Sequence, residues 1–207
     1  MKVGIALVPC CQTIQLMIEM QQKIISDNPL VPIWGNINNL PHLTLLQGRF
    51  HHPINWINLV YNLQDYWQKE KYLKEFQITQ LEYKTPGWYF LKLNNEHIFY
   101  DLHNFIFTSV KNLIYVTGED LKKDISSYTD LEKINYIKYG YRYIGSSFNP
   151  HFTLGRIIDN SINNRQSSWK RIIEFFATQN LIKIQQITIY QVGNYGSHAA
   201  TLYSVNI

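Results

Sequence analysis

One short motif occurs twice in this chain, and it constrains the fold more than any other feature of the sequence. Residues 40–45 read Leu-Pro-His-Leu-Thr-Leu, and residues 149–154 read Asn-Pro-His-Phe-Thr-Leu. In each copy a proline precedes a histidine, and a hydrophobic residue, a threonine and a leucine follow it. The two histidines are 109 positions apart, about half of the 207-residue chain. A motif that recurs at this spacing indicates a fold of two related lobes.

The alternation within each motif is typical of a β-strand that buries one face. Side chains two positions apart on a strand point to the same side, so each histidine shares a face with its threonine, while Leu43 and Phe152 point to the core. A strand also holds reactive groups more firmly than a loop does. Two such strands brought together would surround one cleft with four polar side chains, which are His42, Thr44, His151 and Thr153.

Five residues before the motifs are candidate substrate contacts. Trp34 and Phe148 lie in the loops that precede the histidines, where an aromatic ring can stack on a base. Tyr141, Arg142 and Tyr143 lie just before the second motif, and they would form an edge of the cleft that stacks on bases and contacts phosphate. An ordinary aromatic strand remains the alternative interpretation for these tyrosines.

Two arginines and two histidines are expected to lie away from the chemistry. Arg49 and Arg156 follow the motifs at positions whose parity differs from that of the histidines, so a regular strand would turn both away from the cleft. His103 and His198 stand alone in the sequence and are expected to be structural.

The rest of the chain mixes helical and strand patterns without a low-complexity linker. The predicted strands are 2–8, 43–50, 76–83, 88–93, 152–158, 182–192 and 201–207. The predicted helices are 11–27, 54–70, 97–110 and 166–178, with one or two polar helices inside 118–137. This mixture predicts an α+β or α/β fold, and we treat residues 1–207 as one domain of two lobes.

The composition favours a globular protein with an anionic ligand. Hydrophobic residues make up 45% and charged residues 16% of the chain, which is not the balance of a disordered protein. The net charge of +4 suits a phosphate-bearing ligand but is weaker than that of proteins that wrap a duplex. No apolar run reaches the roughly 18 residues of a membrane span. Cys10 and Cys11 are adjacent and form no CxxC pair, which favours a reducing, cytoplasmic setting.

Two histidines and two threonines around one cleft suit an in-line displacement at a phosphodiester. Imidazole has a pKa of roughly 6.5, so one ring can accept a proton while the other donates one near neutral pH. Threonine hydroxyls can donate to the non-bridging oxygens, where negative charge lies in the transition state. A zinc site would need a third ligand near the histidines, and neither motif supplies one. The chain also has no GxxxxGK[ST] loop, so ATP use is not expected.

The paired His-x-Thr-hydrophobic motifs, one in each half, resemble those of the 2H phosphoesterase superfamily. This group includes bacterial RNA 2′,5′ ligase/cyclic phosphodiesterases, plant cyclic phosphodiesterases and relatives that cleave 2′,5′-linked oligonucleotides. The resemblance implies an α+β fold with a pseudo-two-fold axis, in which two antiparallel-rich sheets flank a central cleft and helices lie outside. It also implies that the four motif residues form the catalytic set.

From the motifs and the resemblance, we expect a metal-independent phosphodiesterase. Its substrate would be a nucleotide or RNA phosphodiester: a 2′,3′-cyclic phosphate, a 2′,5′-linked oligonucleotide or a cyclic oligonucleotide. The expected enzyme needs no cofactor, binds no membrane and acts as a monomer. The alternative function is a binding module that holds RNA or a cyclic nucleotide in the same cleft without turnover. The assignment of acid and base to the two histidines stays open.

Overall fold

A computed structural model describes residues 1–25, 30–51, 54–85, 87–157, 166, 169–170, 172–175, 177 and 179–207. In this part of the chain, the strands are β1 (Val3–Pro9), β2 (Leu30–Val31), β3 (Leu43–Phe50), β4 (Glu75–Lys84), β5 (Trp88–Leu93), β6 (Ile114–Tyr115), β7 (Phe152–Ile157), β8 (Leu181–Val192) and β9 (His198–Asn206). The α-helices are α1 (Cys11–Ile25), α2 (Trp56–Lys69), α3 (Glu96–Val110), α4 (Gly118–Leu121) and α5 (Asp130–Tyr139).

The structure confirms an α+β fold. The predicted strands 43–50 and 88–93 agree with β3 and β5 at both ends, and the other predicted strands are present with shifts of up to three residues at their described ends. Residue 158, the predicted end of the strand that begins at 152, lies outside the described residues. The polar segment 118–137 forms two helices, α4 and α5. The end of the first predicted helix, beyond residue 25, lies outside the described residues. Of the predicted helix 166–178, only parts are described, and residues 172–175 among them are helical.

Antiparallel pairing connects all nine described strands into one network. Six strands form a closed circuit in the order β1, β3, β7, β5, β4, β8 and back to β1, and β2, β6 and β9 join at its margins. The expectation of two separate sheets is therefore wrong in one respect. The two halves are joined where Leu43 of β3 pairs with Phe152 of β7, and again where β4 pairs with β8.

Burial in the two motif strands follows the predicted alternation near the histidines. Leu43, Leu45, Phe152 and Leu154 are 0% exposed, whereas the histidine and threonine of each motif are only half-buried. The apolar face of the sheet packs with α1, α2 and α3 into one hydrophobic core. This core fixes the two strands, and they cross with their polar side chains on the opposite face.

No described helix is both long and apolar enough to cross a membrane.

Candidate active site

The two motifs meet at a cavity of about 630 Å³. Leu43 and Phe152 are paired across β3 and β7, so the residues on either side of that pair project from the other face of the sheet. As a result, all four motif residues line the cavity, which are His42, Thr44, His151 and Thr153. The volume is in the range of sites that hold a nucleotide-sized ligand.

Both imidazoles are held in the same way. The Nδ1 atom of His42 lies 2.8 Å from the carbonyl oxygen of Leu40, and that of His151 lies 2.5 Å from the carbonyl oxygen of Asn149. A carbonyl oxygen can only accept, so Nδ1 carries a hydrogen in both rings and the neutral form keeps its lone pair on Nε2. In each of these two rings of the cavity lining, Nε2 is therefore the nitrogen that can gain or lose a proton.

Each motif strand contains a β-bulge directly after its threonine. Along β1 and β3, Ala6 pairs with Thr44 and Ile5 pairs with Leu46, which leaves Leu45 as the extra residue. Along β5 and β7 the register shifts in the same way, and Leu154 is the extra residue. A bulge reverses the side-chain alternation beyond it and often re-aims a side chain near a functional site.

The bulges overturn the expectation for Arg156. Beyond its bulge, β7 directs Arg156 to the same side as Thr153, and both line the cavity. On β3 the corresponding position holds Gln47, whose Nε2 donates to the Tyr190 hydroxyl, the same hydroxyl that Thr44 contacts. Arg49 is outside the cavity lining although the bulge in β3 places it on the same side as Gln47, and it forms an ion pair with Asp120.

A buried polar side chain holds the carbonyl group of each bulge. His103 is fully buried and donates from Nδ1 to the Leu45 oxygen at 2.7 Å, while its Nε2 accepts from the backbone N–H of Gly145. Gln21 is 1% exposed and donates from Nε2 to the Leu154 oxygen at 2.7 Å. Each of these two sets of hydrogen bonds, called a tie below, connects the strand of one motif to the loop that precedes the other histidine.

Gln21 completes the second tie at the loop that precedes His42. Its Nε2 donates to the oxygen of Pro32, and its Oε1 accepts from the N–H of Trp34. These bonds satisfy the polar groups of a bulge and a loop that would otherwise be buried without partners. The structural role expected for His103 matches its place in the first tie.

Tyr190 on β8 contacts the first histidine from below the cavity. Its hydroxyl lies 3.2 Å from Nε2 of His42, and it accepts a 2.6 Å hydrogen bond from Nε2 of Gln47. Burial raises the pKa of Tyr190 to about 12, so the phenol stays neutral and can donate its hydrogen to His42. The ring crosses β1 at Gly4, its pairing partner, where a Cβ would lie only 2.6 Å from the hydroxyl oxygen.

His198 forms the floor of the cavity beside this group. It is fully buried, its ring stacks on Tyr190 at a centroid distance of 4.5 Å, and it lies 5.6 Å from the ring of His42. Its Nε2 lies 3.3 Å from the Thr188 hydroxyl, and its Nδ1 has no hydrogen-bond partner within the described residues. Burial, together with the smaller effect of the nearby His42, lowers the pKa of His198 to about 3.

Burial also favours the neutral form of both catalytic candidates. It lowers the pKa of His42 to about 4, although the carbonyl groups of Leu40 and Gly196 act in the opposite direction. It lowers the pKa of His151 to about 3, and the charges of Lys92 and Arg142 act in the same direction as burial. The two rings thus have similar environments, with more positive charge around His151.

Four of the five candidate substrate contacts line the cavity. They are Trp34, Tyr141, Arg142 and Tyr143. Gly140 caps the end of helix α5, and its φ of 67° turns the chain so that the next three residues reach the cavity. Trp34 is 6% exposed, so little of its ring is open to a ligand. Phe148 does not reach the cavity, because it is 2% exposed and stacks on His103 at 4.1 Å.

The charged residues of the cavity lining are mostly basic. Four are cationic and one is anionic, and they are Lys2, Lys123, Arg142, Arg156 and Asp124. This excess suits a ligand with more than one negative charge. Within the described part of the chain, no three histidine, cysteine or carboxylate side chains are grouped so that they could hold a metal ion.

The sequence contained signals for two of the site residues that motif analysis missed. The adjacent apolar pair Leu45 and Leu46 breaks the strand alternation, and so does Leu154 followed by Gly155. The first break could have indicated the bulge that places Gln47 on the cleft side of its strand, and the second could have done so for Arg156. No comparable local signal marks Tyr190 or His198, because the register of β8 against β1 and β9 brings them to the site.

The comparisons with known proteins give only a distant likeness. No family model matches the chain, and no curated protein matches it. Among solved structures, the chain is similar to a conserved protein of unknown function from Agrobacterium tumefaciens, with 13% sequence identity and a TM-score of 0.43. The match covers 97% of this chain and 83% of that protein. A likeness at this level assigns no function.

Proposed function

We propose that this protein is a metal-independent phosphodiesterase of the 2H type, acting on a nucleotide or RNA phosphodiester. One observation carries the proposal. Two histidines from opposite halves of the chain line one cavity, each is held through its Nδ1 so that Nε2 is the nitrogen that can exchange a proton, and each is followed two positions later by a threonine that lines the same cavity. Binding alone would not require two groups that are both oriented for proton transfer.

The proposed reaction uses the two rings as acid and base. For a cyclic phosphate, the neutral imidazole takes a proton from water as the water oxygen bonds to phosphorus. The protonated imidazole gives its proton to the ribose oxygen as the bond between that oxygen and phosphorus breaks. The hydroxyls of Thr44 and Thr153 donate to the non-bridging oxygens. Each proton transfer can contribute roughly 10²–10⁴ in rate.

The protonated ring is expected to form when substrate binds. The pKa values of His42 and His151 lie well below neutrality because burial disfavours the imidazolium. A phosphodiester brings a negative charge into the same low-dielectric space, which favours the imidazolium and raises the pKa of the nearer ring. Binding should therefore take up a proton from solution near pH 6–7, which calorimetry in buffers of different ionisation enthalpy would measure.

Three finer features of the expected protein belong to this proposal. The matching bulges, matching Nδ1 bonds and reciprocal ties support a pseudo-two-fold relation between two lobes of one domain. Both cysteines are free, in keeping with a reducing compartment such as the cytoplasm. We also propose that the enzyme acts as a monomer, in which one chain supplies both motifs of the site.

Turnover of a phosphodiester panel in the presence of EDTA tests the proposal. The panel comprises nucleoside 2′,3′-cyclic phosphates, 2′,5′- and 3′,5′-linked dinucleotides, and cyclic di- and trinucleotides. We expect cleavage of at least one class by the wild-type protein. His42→Ala and His151→Ala should each lower kcat by 10²-fold or more, since each removes one proton-transfer group.

His97→Ala is the matched control, because His97 is exposed on α3 and lies outside the cavity lining. It should leave the rate unchanged. Loss of cleavage in EDTA would contradict the metal-free mechanism. Tight binding of a panel member without any turnover would instead favour the binding module.

A further inference from the structure

The cavity extends well beyond the histidines in two opposite directions. β3 and β7 run antiparallel from the Leu43–Phe152 pair, so their far ends lie on opposite sides of it. We call these two extensions of the cavity its arms, and Arg156 lies on the arm that follows β7. Lys2 lies on the other arm, because it precedes Val3, which pairs with Gly48 near the end of β3.

Three cations gather on the arm that contains Lys2. The Lys123 ammonium lies 5.6 Å from the ring centre of Tyr128 and 5.5 Å from that of Tyr136, and the Lys2 ammonium lies 6.0 Å from Tyr136. The Arg142 guanidinium lies 4.5 Å from the ring centre of Tyr128. Through these two shared rings, the three charges converge on one end of the cavity.

The carboxylates near these cations do not fully match their charge. Within the described chain, neither Lys2 nor Lys123 has a carboxylate oxygen within 4.0 Å; the Lys2 ammonium donates instead to the oxygen of Gly140 at 3.0 Å. Arg142 lies 3.8 Å from Glu132, a long ion pair. Asp124 is the acidic residue of the lining, and its carboxylate accepts from the N–H of Ser126. Burial lowers the pKa of Lys2, so its charge is held at a cost that a bound anion would offset.

An unsatisfied hydroxyl connects this arm to the second histidine. The Tyr143 side chain is 6% exposed, and its hydroxyl has no hydrogen-bond partner within the described residues. Its ring lies 4.3 Å from the Arg142 guanidinium and 5.5 Å from the ring of His151, and it lines the cavity. A buried polar group without a partner calls for an explanation, and a ligand oxygen would supply one.

We propose that Lys2, Lys123 and Arg142 form a second anion-binding subsite, which holds a phosphate other than the one that is cleaved. This inference rests on the proposed function and narrows it. The substrate is an oligonucleotide, linear or cyclic, with at least two phosphates, and a nucleoside 2′,3′-cyclic monophosphate fills only part of the cavity. Tyr143 connects this subsite to the reacting centre, because its ring contacts both the Arg142 guanidinium and the ring of His151.

Binding to the inactive His42→Ala/His151→Ala protein tests the subsite independently of turnover. The probes are the dinucleotide ApA, its 5′- and 3′-phosphorylated forms pApA and ApAp, and cyclic di-AMP. We expect pApA or ApAp to bind about tenfold more tightly than ApA, because hydrogen bonds between charged groups are the stronger ones. Comparison of cyclic di-AMP with these linear probes shows whether the cavity binds a cyclic or a linear oligonucleotide more tightly.

The matched variants are Lys2→Met/Lys123→Met and Lys122→Met, each in the inactive protein. Lys122 is adjacent to Lys123 in sequence but is exposed, is paired with Glu119 and lies outside the cavity lining. The first variant should abolish the tighter binding of pApA or ApAp relative to ApA, or lower the affinity for cyclic di-AMP about tenfold. It should also reduce the slope of log K against log salt by about 0.7 for each phosphate that the lysines no longer neutralise. Lys122→Met should change neither quantity.

Equal affinity for ApA, pApA and ApAp, with cyclic di-AMP unaffected by the paired lysine change, would overturn the subsite even if turnover is observed. Phosphate-dependent binding that needs Lys2 and Lys123, in a protein that cleaves nothing, would support the subsite while the proposed reaction fails.

Discussion

Replacement of Gly4 by alanine should destabilise the protein only while Tyr190 is present. The added Cβ would lie 2.6 Å from the Tyr190 hydroxyl oxygen and closer still to the Cζ and Cε1 atoms of the ring. The ring cannot move away easily, because His198 stacks on it and Gln47 donates to its hydroxyl. The clash therefore has to be relieved by displacing the ring or by spreading β1 from β8.

The size of the effect follows from three contributions. Overpacking of a filled core costs about 1–3 kcal/mol, and loss of the Gln47–Tyr190 hydrogen bond adds about 1 kcal/mol. Against these, alanine is favoured over glycine inside a strand by roughly 0.5–1 kcal/mol. Gly4→Ala should thus lower the free energy of unfolding by about 1–3 kcal/mol. In a Tyr190→Val background, where no ring meets the Cβ, the same change should raise it by about 0.5–1 kcal/mol.

Urea unfolding of the four proteins in this double-mutant cycle measures both effects. The expected result is a change of sign between the two backgrounds. A Gly4→Ala effect of the same sign and size with and without the tyrosine ring would refute the reasoning, because the cost would then arise from the β1 backbone and not from the ring.

Three further predictions concern stability. Because burial lowers the pKa of His198, its contribution to the free energy of folding is complete above about pH 6.5 and is lost as the pH falls toward 3. His198→Phe should therefore reduce the slope of unfolding free energy against pH between pH 6 and 4 by up to about 1.4 kcal/mol per pH unit. An unchanged slope would contradict this. Gln21→Met should lower the unfolding free energy by about 2–3 kcal/mol, because it leaves buried backbone groups without partners, whereas Gln15→Met on the exposed face of the same helix should change it by less than about 0.5 kcal/mol in urea unfolding. Arg49→Met should lower the unfolding free energy by about 2–3 kcal/mol in the same assay, because it breaks the ion pair with Asp120. This is less than the roughly 3–5 kcal/mol of a fully buried pair, since the Asp120 side chain is 8% exposed but that of Arg49 is 25% exposed. A smaller loss than that caused by Lys122→Met would show that the pair adds nothing to stability.

The local part of the site could be predicted from the sequence because it depends on short-range periodicity. Because side chains on a strand alternate with a period of two, the spacing of His42 and Thr44 places them on a common face. The same alternation predicts the burial of Leu43 and Phe152. The same reasoning gave the bounds of β3 to the residue. It failed for Arg156 because one extra residue in β7 reverses the alternation.

The remaining part of the site depends on contacts between distant residues. Tyr190 reaches His42 across 148 positions of sequence, through a pairing of β8 with β1 that no local pattern specifies. Phe148 was expected to contact substrate because it lies near the motif, but its partner is His103 on a helix. Position in sequence predicts neither of these partners.

The two reciprocal ties have a consequence for how the halves can change. Gln21 connects the Leu154 strand to the loop before His42, and His103 connects the Leu45 strand to the loop before His151. The Leu43–Phe152 pair joins the two motif strands directly, and two side chains outside the cavity lining add a second connection between each strand and the other motif's loop. Because each tie contacts one motif strand and the loop before the other histidine, a substitution that loosens either tie should affect both histidines, and a fragment that contains only the second motif would lack Gln21, which holds its strand.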